Sequence, residues 1–158
     1  MREHFKQECK IIQENCTYTA ETHHILASDH KCRATAFQVI PAVVASLSSL
    51  LVVGKVIPAW WGWLTVISAV VSAVGNVLDP LKGYYDHLNA AKNFTVIKQR
   101  ARALGETFSE NMNDEKFGAE TKVLHDQYND LVRFVPPTTQ KAFEKARGRI
   151  REGIHKPD

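Results

Sequence analysis

Residues 34–54, ATAFQVIPAVVASLSSLLVVG, and 56–78, VIPAWWGWLTVISAVVSAVGNVL, decide the fold. Lys55 is the one charged residue between position 34 and position 78, while both flanks are densely charged. A globular chain spreads its apolar residues so that each element contributes one face to a shared core. This chain concentrates them. A helix of about 20 apolar residues crosses a hydrocarbon layer of roughly 30 Å, and the two runs supply 21 and 23 uncharged residues. The connection between them is short, so the helices are expected as antiparallel neighbours. Gly54 closes the first and Pro58 opens the second. The expected fold is therefore all-α: a membrane protein with a two-span helical hairpin flanked by cytoplasmic amphipathic helices.

Trp60, Trp61 and Trp63 follow the turn, where an aromatic belt at a membrane–water interface would lie. Lys31 and Arg33 precede the first span and Lys82 and Lys92 follow the second, against Lys55 alone in the turn. The positive-inside rule then places both termini in the cytoplasm, giving a multi-pass protein of the inner membrane. A soluble hairpin buried in a larger bundle is the competing reading. Within 158 residues there is too little further chain to wrap two such runs.

Small and weakly polar residues recur at helical spacing inside the runs. Gln38, Ala42, Ala45 and Ser49 share a face of the first, and Thr65, Ser68, Ser72 and Asn76 share a face of the second. Helices in lipid associate through small residues and interhelical hydrogen bonds, so packing is the preferred reading of these faces. A water-filled pore is the alternative, and no intramembrane charge marks an ion path. Pro41 removes a backbone hydrogen bond and is expected to bend the first span.

Outward from the hairpin the pattern turns amphipathic. Phe5, Cys9, Ile12, Cys16, Thr19, His23, Leu26 and His30 form one stripe along a helix. Leu81, Tyr84, Leu88, Ala91, Phe94, Ile97, Ala101, Leu104 and Phe108 form another. Asp79 and Pro80 suit a helix start as cap and first residue, and the second span is expected to continue into this long helix with at most a bend at Pro80. A break over 110–114 precedes a third stripe, Phe117, Leu124, Tyr128, Leu131 and Val135, which Pro136 and Pro137 stop. Thr139 caps a last helix. The organisation is then an N-terminal amphipathic helix over 1–33, the hairpin over 34–78, a cytoplasmic helical region over 79–135 and a basic C-terminal helix and tail over 136–158.

Lys141, Lys145, Arg147, Arg149 and Arg151 make the last helix basic, a candidate contact for anionic lipid or phosphate or simply a solvated face. The net charge of +3 is too small to argue for nucleic acid. His4, Cys9, Cys16, His23, His24, His30 and Cys32 invite a metal reading, but their spacing matches no structural zinc pattern. No metal or cofactor is expected. Three cysteines make a disulfide framework unexpected. A secretory leader is not expected either, because the apolar block lies behind a polar segment. Glycine-rich phosphate loops, nucleophile elbows and HExxH are absent, so no enzyme is expected.

A polar helix rich in Thr, His and Ala leads into two adjacent spans, and Tyr84-x-x-His87-x-x-Ala90-x-x-Asn93-Phe94 follows them. This order and pattern resemble the SLATT domain, a bacterial two-span module, over most of the chain to about Val135. The resemblance implies an effector of bacterial antiphage or conflict systems. Such an effector homo-oligomerises in the inner membrane and permeabilises it when a nucleotide second messenger or a nucleotide-signalling partner protein triggers it. The alternative is a non-conducting anchor or scaffold whose cytoplasmic helices recruit a partner.

Overall fold

A computed structural model describes residues 1–54 and 58–153 and is helical throughout, with no strand among them. The order is α1 (Arg2–Val53), a 3-10 turn (Ala59–Gly62), α2 (Trp63–Leu78), α3 (Pro80–Arg102), a π-helical turn (Ala103–Phe108), a 3-10 turn (Ser109–Asn111), α4 (Asp114–Phe134) and α5 (Gln140–Arg151). The chain divides into two compact units, Ser28–Tyr84 and the pair Met1–Ala27 with Tyr85–Asp158. α1 contributes to both without a break, so the amphipathic segment and the first apolar run are one helix of 52 residues. Pro41 sits inside it.

Helix ends follow local chemistry. α1 stops at Val53, where the Gly54 amide donates to the Leu50 carbonyl at 2.9 Å. Pro58 precedes the 3-10 turn and its carbonyl accepts from the Trp61 amide at 3.1 Å. Lys55 and the start of the second run lie outside the described residues.

The continuous passage from the second span into α3 is not what forms. Asp79 adopts φ 39° and ψ 58°, the left-handed region, and separates α2 from α3. Proline explains the break. A proline has no N–H to continue the ladder and disfavours the right-handed helical conformation at the residue before it. Asp79 then starts the next helix as expected of a cap, its Oδ1 accepting from the Lys82 amide at 3.1 Å.

In the unit formed by Met1–Ala27 and Tyr85–Asp158, the stripes meet. Cys9, Ile12, Cys16 and Ala20 of α1 bury against Phe94, Ile97 and Ala101 of α3 and Phe117 and Leu124 of α4. Phe5 meets the Phe117 ring edge-on at 5.7 Å. Arg2 ties the start of α1 to the α3–α4 connection, donating to the Ser109 carbonyl, to the Met112 carbonyl at 2.5 Å and to Asp114 Oδ1 at 3.2 Å. Asn113 caps α4 by accepting from the Lys116 amide at 2.9 Å, and Thr139 caps α5 by accepting from the Ala142 amide at 3.3 Å. Side-chain oxygens at these positions satisfy amides that the first helical turn leaves free.

The Ser28–Tyr84 unit is a hairpin with its own register. Gly75 faces Phe37 so closely that a Cβ there would stand 3.0 Å from the Phe37 Cβ, and one on Gly83 would stand 2.6 Å from His30 Nδ1. Both positions need glycine for close approach.

Candidate functional site

The hairpin has its polarity reversed. Its buried residues are small or polar: Ala34, Pro41, Ser48 at 6% exposure and Ser68 at 7%. Its outer surface is aliphatic: Ile40 is 60% exposed and Leu50 70%, and Val39, Val43, Leu47, Val66, Ile67, Val70, Val71 and Val74 are exposed with them. An apolar area this continuous on the outside of a protein marks contact with lipid or with another protein. The hydroxyls on these helices return to their own backbone. Ser46 donates to the Ala42 carbonyl, Ser49 to Ala45, both at 2.8 Å, and Thr65 to Gly62 at 2.6 Å. That arrangement leaves no hydroxyl proton of these three seeking a partner in an apolar medium.

The two candidate faces fall differently. On α2, Ser68 is buried and Thr65 and Ser72 are half-buried; the Asn76 side chain lies outside the described set. On α1, Ala45 is half-buried and Gln38, Ala42 and Ser49 are exposed. The inward face of α1 runs instead through Ala34, Phe37, Pro41, Ala45, Ser48 and Val52, stepping by threes and fours. Gln38, Ala42 and Ser49 sit one residue round from it. In a segment without charge contrast, sequence periodicity leaves the phase of the face open, and the close approach of Gly75 to Phe37 sets it. Trp60, Trp61 and Trp63 are all exposed, the first two with ring centroids 5.2 Å apart.

The helical unit has a polar centre that the sequence did not single out as a pair. His23 is fully buried, its Nδ1 lies 2.9 Å from Nδ1 of His87, and its ring stacks on Phe94 at 5.7 Å. At that distance one ring donates and the other accepts, so at least one imidazole is neutral. Burial, with help from His87 and His24, lowers the His23 pKa to about 4. His23 Nε2 is buried without a hydrogen-bond partner. Of the residues considered for metal, Cys9 and Cys16 are buried members of the apolar stripe, and Cys32 is exposed. Burial raises the Cys9 thiol and pushes Cys16 up to about 12, which holds both as protonated, unreactive thiols. Among the described residues no three of His, Cys, Asp and Glu stand together as metal ligands.

An ion pair ties the basic helix to α1. Arg149 donates to Glu21 Oε1 at 2.8 Å, with the Glu21 side chain 6% exposed and that of Arg149 45%. Ala142 and Ala146 bury against Ile25 and Leu26, while Lys141, Lys145, Arg147 and Arg151 are exposed. The Thr139 cap marked the helix, but the pairing of positions 128 residues apart leaves no local signal.

Fold and site together define an all-α chain that joins a helical bundle unit to an inverted, apolar hairpin. Among the described helices α1 is the one long and apolar enough to cross a membrane, with 11% of its apolar window buried, and the apolar helix Trp60–Gly75 beside it is shorter. No family model matches the chain, and no match was found among curated proteins or solved structures.

Proposed function

We propose that this chain is a membrane effector that inserts the hairpin as two spans, keeps both termini in the cytoplasm, self-associates, and permeabilises the bacterial inner membrane when triggered. The observation that carries the membrane part is the reversed polarity of the hairpin, with serines inside and Val, Ile and Leu outside. Length supports the second span. The 16 residues of α2 rise about 24 Å at the α-helical pitch, and the four-residue 3-10 turn before it adds about 8 Å. That total matches a hydrocarbon layer of roughly 30 Å. Lys31, Arg33, Lys82 and Lys92 support the cytoplasmic placement of the termini.

The trigger and the conflict role rest on the resemblance to SLATT domains. Three of the residues that carry it have packing work here: His87 contacts His23, Phe94 is fully buried and Ala90 is buried, while Asn93 is exposed. A nucleotide second messenger or a nucleotide-signalling partner protein is the proposed trigger. One observation favours the second reading, a non-conducting anchor. Ser68 is buried within a single hairpin and the Ser46, Ser49 and Thr65 hydroxyls bond to their own helix, so these groups are not set aside for water.

Dye release from liposomes carrying the purified protein separates the two readings. The effector reading expects leakage on adding the trigger, and Ser72→Leu is expected to abolish toxicity in cells while membrane insertion persists. Oligomers that never leak under any signal, with Ser72→Leu changing only oligomer size, would leave the anchor.

A further inference from the structure

We infer that α5 is an exchangeable basic helix whose second partner is the anionic phospholipid headgroup surface, and that Glu21 holds it off that surface by pairing with Arg149. The inference rests on the membrane reading above, because it needs a bilayer attached to the same chain.

The attachment of α5 is slight. Its fully enclosed side chains are two alanines, Ala142 and Ala146, whereas α3 and α4 each sink a whole phenylalanine, Phe94 and Phe117, into the same unit. Apolar stabilisation scales with buried area, so α5 is the α-helix of this unit held least by burial. Phe143 is exposed with its ring 6.2 Å from Tyr18, and Gly148 stands on open space, a residue that weakens a helix interior where nothing crowds it. The specific anchor is the Glu21–Arg149 pair. Elements with few buried contacts open most readily.

The charge of α5 suits an anionic surface. Its 12 residues carry Lys141, Lys145, Arg147, Arg149 and Arg151 against Glu144 alone, a net +4, which exceeds the +3 of the whole chain. In the docked state all five of these cations are already exposed, Arg149 with its side chain at 45% while it pairs with Glu21. Release would free the Arg149 guanidinium from Glu21 and uncover the half-buried Ile150 beside the exposed Phe143, giving a cationic helix with a small apolar edge of the kind that lies on anionic membranes. Tethering to an inserted hairpin makes the encounter intramolecular, which raises the local concentration of headgroups. Undocking would exchange the Glu21–Arg149 bond for contacts between the helix's cations and lipid phosphates.

The test uses the full chain with Cys32→Ser and a nitroxide on Gly148→Cys, in nanodiscs of phosphatidylcholine with or without phosphatidylglycerol. Cys9 and Cys16 are buried and stay unlabelled. Anionic lipid is expected to lower collision of the label with a water-soluble relaxant several-fold, roughly as expected for a helix moving onto the surface, with recovery at high salt. Glu21→Gln should produce the same drop at a smaller anionic fraction. Replacing Lys141, Lys145, Arg147 and Arg151 with Gln should abolish it. An unchanged label in anionic discs, with protein still embedded, overturns the exchange and leaves the hairpin reading intact; protein that fails to embed overturns the hairpin reading first. A drop produced in phosphatidylcholine discs by inorganic phosphate or a DNA oligonucleotide, and not by phosphatidylglycerol, assigns the cations to a soluble anion and overturns the lipid partner.

Discussion

The hairpin and the helical bundle unit are both built from helices that bury one face, and they sort their residues in opposite directions. In the bundle unit Cys9, Ile12, Phe94 and Phe117 go inside, and the outside carries the Lys, Glu, Asp and Arg side chains with scattered single hydrophobics such as Val123 and Phe134. In the hairpin Ser48 and Ser68 go inside, and the outside is Val, Ile, Leu and Trp. Water drives the first arrangement, because removing apolar surface from it is favourable. It does not explain the second. Between two helices in hydrocarbon the surrounding medium is as apolar as leucine, and association depends on close approach and hydrogen bonding instead. α1 is the same helix in both settings, and the change of rule along its length is what supports the proposed insertion of the hairpin.

The largest effect that sharpens this contrast comes from truncating a core side chain on the bundle side. Phe94→Ala removes a fully buried ring that touches His23 and Tyr128, and is expected to destabilise that unit by about 3–5 kcal/mol. Protection of the Cys9–Ala20 amides against hydrogen exchange in detergent should fall accordingly, while the hairpin amides hold. Equal loss in both units would show that the two do not follow separate rules.

On the hairpin side the matching change is a charge on the outer surface. Leu47 is exposed near the middle of the apolar run, and Leu47→Arg is expected to disfavour insertion by about 2.5–3.5 kcal/mol on the scale that applies to a helix centre. The amount of protein resisting alkaline extraction from membranes should drop several-fold, with the bundle unit still folded. If Leu47→Arg extracts no more readily than the parent and the parent itself leaves the membrane without detergent, the apolar surface faces another protein and the contrast has a different cause.

Much of this contrast was legible in the sequence, and the exceptions share one reason. The stripes from Phe5 to Leu26 and from Ala91 to Ala101 were readable because polar residues between them fix the phase of a 3.6-residue repeat. Asp79 and Thr139 were readable as caps because their chemistry is local. The inner face of α1 was not: Pro41 and Ser48 point inward while Ala42 and Ser49 do not, and in an uncharged run nothing in the neighbouring residues distinguishes them. The left-handed turn at Asp79 was half readable, since Pro80 announces a disturbance without giving its size. Glu21 with Arg149 and His23 with His87 were out of reach because each pair joins residues from distant elements, and the same side chains fit an ordinary amphipathic helix equally well.

The histidine pair gives the smallest expected effect and the one most specific to the bundle unit. His23 is neutral in the folded chain, its pKa lowered to about 4 by burial and by His87 and His24, whereas an unfolded chain gives it the ordinary value of 6.5. Between these values the unfolded state binds the extra proton, so stability falls with decreasing pH across that window and is fully present above 6.5. Below about 4 both states are protonated and this group contributes no further slope. The full difference corresponds to roughly 3 kcal/mol, and the observed loss should be about 2–3 kcal/mol because the His87 ring shares the proton's repulsion. Denaturant midpoints of the detergent-solubilised protein, followed through hydrogen exchange at Cys9–Ala20, should decline from pH 6.5 toward 4, and His23→Leu should flatten that decline. The hairpin has no ionisable group at its centre, so its own exchange should stay level over the same range. A decline shared by both units, or one untouched by His23→Leu, would place the acid sensitivity outside the pair and remove the histidines from the difference between the two regions.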